Sequence, residues 1–558
     1  MGSVTLISNR IGGAKSRSGC KTCKIRRVKC GEEKPICLRC SSTGRKCEYG
    51  DARTSSPALL SLYTAPPSYS LMVSPNSGGN ERRAFEYYIQ HASKGLDAGM
   101  NLDFWTKVVP QICRTEPAVW DAIISISVLY EYPDQCLDLP LLKLQHEKKR
   151  GLNQIQREAL SWYSRAISSI HSQIVRGRAD PYVALISCVL FICIEAIQGR
   201  VTEALQLYEQ GVSLILTLRH QVTAGTRLPH KALLLENTII PLFLRLGSIA
   251  LTIPTVQVSE IFAFASHDLY TQFTSLDAAR TAIFVLFSET TLLEREAFPY
   301  RRATIRDLVA GAHLVAKQQS IQTQLYHWLQ AYTTLCQNGA RAQPVLLAYH
   351  AATSIYVSTC LSQQELVYDS YIADFAIIVE NASLALVGGP DCVQPPFTFE
   401  MGLGLPLFLT AIKCRDPHLR RKALGLLRQT PPIQAFFTCT PVALVAEKCM
   451  DMEEDYSRSI AYTHDPRALD PSPQCCVSDF SPRSALEHES TCELSTLIPE
   501  EARICYYNIL PPQDGYSPGA EGGIAENGYG SNQILEVFRN HFDKVHNIWC
   551  MVSHRVTL

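Results

Sequence analysis

The stretch CKTCKIRRVKCGEEKPICLRCSSTGRKC, Cys20 to Cys47, holds six of the chain's 21 cysteines. The spacing is C-x2-C-x6-C-x6-C-x2-C-x6-C. Cys20, Cys23 and Cys30 recur as Cys37, Cys40 and Cys47, each seventeen residues further on, so one small unit is written twice. Each half reads as a metal knuckle followed by a short helix. C-x2-C lets two thiolates converge on one ion, as in structural zinc sites. The seven residues from Cys23 to Cys30 make two helical turns, which predicts that the third thiolate returns to the same face. Three ligands per half are one short of a tetrahedral set. Two ions with six thiolates are satisfied if two sulfurs bridge, and the symmetry of the repeat picks Cys20 and Cys37.

On these residues the stretch resembles the binuclear zinc cluster (Zn2Cys6) of fungal transcription regulators, with no ligand missing. Pro35, in GEEKPIC, stands where that family places a loop proline, often cis. The resemblance implies two Zn2+ ions as cofactors and double-stranded DNA as partner. Two other readings of the cysteines are a disulfide knot, which a reducing compartment disfavours, and a storage cluster, which would not carry a basic helix between its ligands.

The first half encloses KIRRVK, with Lys24, Arg26, Arg27 and Lys29. Arginine presents a two-pronged donor to guanine O6 and N7. By the resemblance Arg26 and Arg27 face the major groove over a CGG triplet, with Arg27 the principal base reader. Lys24 and Lys29 are expected to hold phosphates, which position a module without specifying sequence. The second half encloses LRCSSTGRK, a poorer helix former; its Arg45 and Lys46 are expected to steer electrostatically. The plainer alternative is that these charges only solubilise a small zinc knot.

Charge is distributed to match. Residues 1–50 carry twelve Lys/Arg and three Glu, while the rest of the chain has 40 basic and 49 acidic residues, for a net charge of zero. Six thiolates against two zinc ions leave about +7 on the head, which suits salt-dependent attraction to a polyanion. Arg10, Lys15 and Arg17 add to a basic set that could serve nuclear import, and a nuclear location is expected.

The N-terminus has no apolar leader segment, so no secretory signal is expected. Its MGSVTL start has Leu6 where a myristoylation site needs Ser or Thr. YVALISCVLFICI and MGLGLPLFLTAI are each about a dozen residues, short of the roughly 20 that a membrane span needs. Both read as buried core helices. No membrane association is expected, and with thiols kept reduced the remaining cysteines are not a disulfide framework.

The chain divides into a basic tail at 1–19, the cluster at 20–47, a linker at 48–80, a helical region at 81–455 and a C-terminal extension at 456–558. From Thr54 to Asn80 there is no charged residue, but there are seven serines and Pro57, Pro66, Pro67 and Pro75. This reads as a flexible tether, and no dimerising coiled coil survives four prolines. Any homodimer is then expected through the helical region.

In ALSWYSRAISSIHSQIV, Leu160, Tyr163, Ile167, Ile170 and Ile174 fall on one predicted face; in EALQLYEQGVSLILTL, Leu205, Tyr208, Val212, Ile215 and Leu218 do so. A large all-α regulatory domain of paired helices is the expected architecture. ERRAFEYYIQH, PAVWDAIISISVLYE and MGLGLPLFLTAIKCRDPHLRRKALGLL (401–427) also resemble the fungus-specific regulatory domain that accompanies zinc clusters. Arg415, Arg420 and Arg421 are expected on a solvated or internally paired face rather than a second nucleic-acid patch. DMEEDY (451–456) reads as a solvated helix end, the other reading being a surface that recruits transcription machinery. The extension is expected to be partly disordered, with a final helix through QILEVFRNHFDKVHNIWCMV whose apolar side is Ile534, Val537, Phe538, His541 and Val545.

No G-x-S-x-G, H-E-x-x-H, phosphate loop or catalytic carboxylate pair is present, so no enzyme is expected. Cys188 and Cys193 fall on apolar faces and read as small hydrophobes. Cys475–Cys476 reads as a strained vicinal pair with a minor claim to redox sensing. Two function classes remain: a sequence-specific DNA-binding transcription regulator, and a partner-binding scaffold whose zinc module no longer reads DNA. The intact KIRRVK favours the first. The resemblance further implies control of a pathway-specific metabolic or secondary-metabolite gene cluster.

Overall fold

The computed structural model describes residues 20–26, 28–33, 36–47, 78–97, 103–133, 153–223, 229–253, 256, 260–264, 272–302, 308–386, 394–464, 498–510, 534–543, 545 and 548–557. Arg27, Pro35, the prolines of the linker and Cys475–Cys476 lie outside them. The chain separates into two compact units, Met1–Leu71 and Met72–Leu558.

The first unit contains two short helices, Lys21–Ile25 and Leu38–Ser41. The expected two-turn helix from Cys23 to Cys30 is not formed. The helix stops at Ile25, Val28 N–H donates to Cys23 O at 3.1 Å, and Cys30 follows in a segment that is neither helix nor strand. Past Cys30 the chain stays irregular, and Glu32 takes a φ of +66°.

In the second unit helices that follow one another in the chain pack together. Pro117–Glu131 lies against Gln154–Val175, Pro181–Ile197 against Val201–Thr223, Leu276–Arg302 against Leu308–Gln337, Pro344–Thr359 against Ile372–Leu386, and Gly404–Lys413 against Pro417–Leu427. Their starts are written in the sequence. Asn153 and Gln156 form a reciprocal capping box, Asp180 accepts from Tyr182 N–H at 3.0 Å, and Asp416 accepts from Leu419 N–H at 2.8 Å. Pro181 and Pro417 follow their caps in the first turn, where a missing N–H costs nothing.

Pro181–Ile197 is apolar on every side because it is buried on nearly every side. Tyr208, Val212, Ile215 and Leu218 are buried as the stripe predicts. The neighbouring stripe is rotated: Gln154–Val175 buries Ala159, Tyr163, Ala166 and Ile170, and leaves Ile167 and Ile174 exposed. Small alanines face the adjacent helix, so the backbones approach closely and the larger isoleucines are turned out. One helical run, Ala232–Ala250, is long and apolar enough to cross a membrane, but most of it is buried in the body.

The body is largely helical, as expected, and carries two small sheets. In the first, β1 (Phe397–Thr398) pairs parallel with β2 (Ile433–Gln434), which pairs antiparallel with β3 (Phe437–Thr438). The second is an antiparallel meander of β4 (Ile504–Leu510), β5 (Ile534–Asp543) and β6 (Ile548–Thr557). The expected final helix is therefore a hairpin. The segment ILEVFRNHFD satisfies both periods, and strand partners on both sides of β5 decide for period two: Leu535 and Val537 are fully buried and Arg539 follows on the same face.

This sheet is tied to the helices by buried charge. Helix Cys439–His464 carries Glu453, fully buried, which accepts from Arg415 Nη2 at 2.7 Å, Arg420 Nη2 at 3.0 Å and Ile504 N–H at 2.7 Å. Glu365 accepts from Lys413 Nζ at 2.8 Å and Arg415 Nη1 at 3.2 Å. Arg503 makes a fork to Asp369, 2.7 Å on each prong, and Glu500 accepts the backbone N–H groups of Glu365 and Leu366. Arg415 and Arg420 are thus internally paired, and Arg421 is bonded to Glu454. DMEEDY is not simply a solvated helix end, because its second acidic residue sits at the centre of this network.

Candidate metal centre and nucleic-acid interface

The seventeen-residue repeat is visible as geometry. Cys20 N–H donates to Cys30 Sγ at 3.3 Å, and Cys37 N–H donates to Cys47 Sγ at 3.4 Å, the same bond in each half. Across the halves, Thr22 Oγ1 donates to Lys46 O at 2.8 Å and Arg26 Nη1 to Thr43 Oγ1 at 3.2 Å. Glu33 caps the second helix by accepting from Leu38 N–H at 3.1 Å. Gly44, at φ +61°, turns the chain so that Cys47 can return. Spacing alone does not reveal these ties, although Thr and Glu next to the knuckles are the residue types that make them.

Five of the cysteines are buried and Cys47 half-buried, and together they form the only apolar cluster of this unit among its described residues. So small a segment has no other core. The sulfur atoms fall into two groups of four, each within 4.8 Å: Cys20, Cys23, Cys30, Cys37, and Cys20, Cys37, Cys40, Cys47. Cys20 and Cys37 belong to both. Their sulfurs are 3.8 Å apart; Cys20–Cys40 and Cys23–Cys37 are each 3.7 Å, and Cys23–Cys40 3.8 Å. Zinc–thiolate bonds of about 2.3 Å put tetrahedral neighbours about 3.8 Å apart. A disulfide needs about 2.05 Å, so the knot is excluded.

The thiols are not equivalent. Burial opposes ionisation of Cys37, but the Cys40 amide and neighbouring thiols outweigh it and bring the thiol down to about 6. Cys20 is lowered in the same way by the Cys23 amide. Cys23 is pushed up to about 12 by burial and then by the adjoining sulfurs. The two shared cysteines are thus lowered, while Cys23 and Cys40 are raised by burial and the adjoining sulfurs.

Of the basic residues, Lys29 is exposed and Arg26 half-buried through its bond to Thr43. The Lys24 side chain and Arg27 lie outside the described residues. Ile25, 82% exposed, shows that the outer face of the first helix is not packed within the unit.

The Fungal Zn(2)-Cys(6) binuclear cluster domain matches residues 18–56, and the Fungal specific transcription factor domain matches residues 83–449, more than half of the chain. The chain belongs to the fungal Zn(2)-Cys(6) transcription regulators. It is a member of a transcription-factor family, not of an enzyme family. Its relatives include the aspercryptin biosynthesis cluster-specific transcription regulator atnN of Emericella nidulans, 29% identical over 38% of this chain and 37% of that protein. The Zn(2)-C6 fungal-type transcription factor afumD of Aspergillus fumigatus is 29% identical over 22% of this chain and 34% of its own. The transcription regulator lscL of Purpureocillium lilacinum is 26% identical over 39% and 55%. The chain thus spans about a third to a half of the length of these relatives. No solved structure matches it.

Proposed function

We propose that this regulator binds double-stranded DNA at CGG-type triplets through a cluster of two Zn2+ ions, acting in the nucleus on RNA polymerase II transcription. Cys20 and Cys37 bridge the ions; Cys23 and Cys30 complete one site, Cys40 and Cys47 the other. The observation that carries this is the pair of four-sulfur groups sharing Cys20 and Cys37. Such zinc is structural, since every coordination position is taken by sulfur and none is open for chemistry. Arg27 reads the triplet with Arg26 beside it, and Lys24 and Lys29 hold phosphates.

The module at 20–47 acts through the tether at 48–80 on the regulatory body at 81–455. A homodimer forms through that body, which also engages transcription machinery. The roles of relatives such as the aspercryptin cluster-specific regulator support a pathway-specific metabolic gene cluster as the target. Fluorescence anisotropy with CGG-bearing and scrambled duplexes at matched salt tests the reading. The zinc-loaded full-length protein is expected to prefer CGG, and equal affinities would support the scaffold alternative instead.

A further inference from the structure

The second unit contains a cavity of about 590 Å³ that DNA reading does not use. One wall is the helix that begins the body, Gly79–Tyr87, which continues through a π-type turn at Tyr88–Ala92 into Ser93–Leu96. The opposite wall is built from the end of Ile372–Leu386, Pro395 and the β1–β2 sheet.

Three observations set its chemistry. The π-type turn lies where the helix lines the cavity, and it carries His91 on the cavity side of the wall. Single π turns inside α-helices recur at functional sites because they re-aim one side chain. Next, the floor is close-fitted: the Tyr130 hydroxyl donates to Phe397 O at 3.0 Å, and a Cβ at Gly95 would overlap that hydroxyl. The cavity is therefore bounded by residues held in place and is not a gap left by loose packing. Last, its lining is mostly apolar, with neutral polar groups such as Gln90, Gln394 and Thr430, and its charged groups are of one sign. Tyr87, Tyr130, Pro395 and Leu403 supply flat apolar surface, and Lys94 and His91 are its basic groups. Among the described residues that line it none is acidic, and Lys94 has no ion-pair partner among the described residues.

We infer that this cavity binds a small, flat apolar organic anion, with its rings between Tyr87, Tyr130 and Pro395 and its charge at Lys94. The volume lies within the range of small-molecule sites, roughly 300–1,000 Å³. A single cation on an open rim selects charge sign, while the walls supply most of the contact area.

The test uses full-length protein and two fluorescent probes of one shape, anilinonaphthalene sulfonate, which is anionic, and phenylnaphthylamine, which is neutral. Ala385 and Lys94 are exposed, so Ala385→Trp and Lys94→Glu leave the fold intact, and unchanged melting temperatures verify this. Ala385→Trp, which fills the mouth, is expected to weaken both probes about tenfold. Lys94→Glu is expected to weaken the anionic probe about tenfold while leaving the neutral one within about twofold. Unchanged binding of both probes to Ala385→Trp overturns the site. Equal response of both probes to Lys94→Glu overturns the assignment of an anion.

Discussion

Remove the Glu453 carboxylate and buried Arg420 loses its counter-charge, while buried Arg415 loses one of two and keeps Glu365. Arg415 and Arg420 are 4% and 0% exposed, so neither can turn to water. Glu453→Ala is expected to cost about 3–5 kcal/mol in urea unfolding, the range for a broken buried pair; a loss under about 1 kcal/mol would show that the network is dispensable. Burial by itself would raise the Glu453 carboxyl, but Arg415 and then Arg420 outweigh it and hold it below the ordinary 4.5. A carboxylate lowered on folding contributes stability above its unfolded value, and that contribution fades as pH falls through the folded value. Wild-type stability should therefore drop from about pH 4.5 downward, and the Glu453→Gln variant should show a shallower drop. On the nucleic-acid side, Arg27→Ala is expected to weaken CGG binding by about 1–3 kcal/mol and blur the triplet preference. Lys29→Ala should weaken all duplexes alike and reduce the salt slope by about one. Relative affinities left unchanged by Arg27→Ala would move base reading to another residue.

Elements differ in how openly the sequence declares them. The cluster was legible because six cysteines at a repeated spacing have few other uses, and because KIRRVK lies between ligands. The helices at Pro181 and Pro417 were legible from Asp-Pro starts, where the cap and the first turn are adjacent letters. By contrast, nothing in KIRRVK marks the end of the helix at Ile25, and two helical turns from Cys23 to Cys30 are the simpler inference from spacing. β5 was misread because Ile534, Val537, Phe538 and His541 fit a helical face, while the strands that pair with it come from distant sequence. Long-range pairing is what local periodicity leaves out. Two element-scale outcomes follow. Native mass spectrometry of the full-length protein should show two zinc ions, and chelation should abolish protection of amides in residues 20–47; one ion would rule out bridging. Leu535→Asp should destabilise the meander and its seat on helix Cys439–His464, because it places an unpaired charge at a fully buried position. Proteolysis would then cut within residues 498–557 before the helices, and unchanged resistance would count against this docking.

For the whole molecule, the open question at this scale is self-association. Sedimentation of the full-length protein over a range of concentrations should reveal a reversible dimer, and residues 1–80 alone should sediment as a monomer; a dimeric 1–80 piece would place the contact in the tether. Two modules brought to one duplex gain from effective concentration without any new contact. The buried ionic seam between the meander and the helices has a consequence in time as well as in space. Asp369 is synthesised long before Arg503, and the backbone N–H groups of Glu365 and Leu366 wait for Glu500. During translation the nascent body therefore carries one carboxylate and two backbone amides whose partners have not left the ribosome. A message cut short after residue 464 would yield a polypeptide without the meander, its apolar seat at Ile412, Val445 and Cys449 uncovered, an early target for proteases. Regulator abundance is thereby tied to synthesis of the chain through residues 498–557.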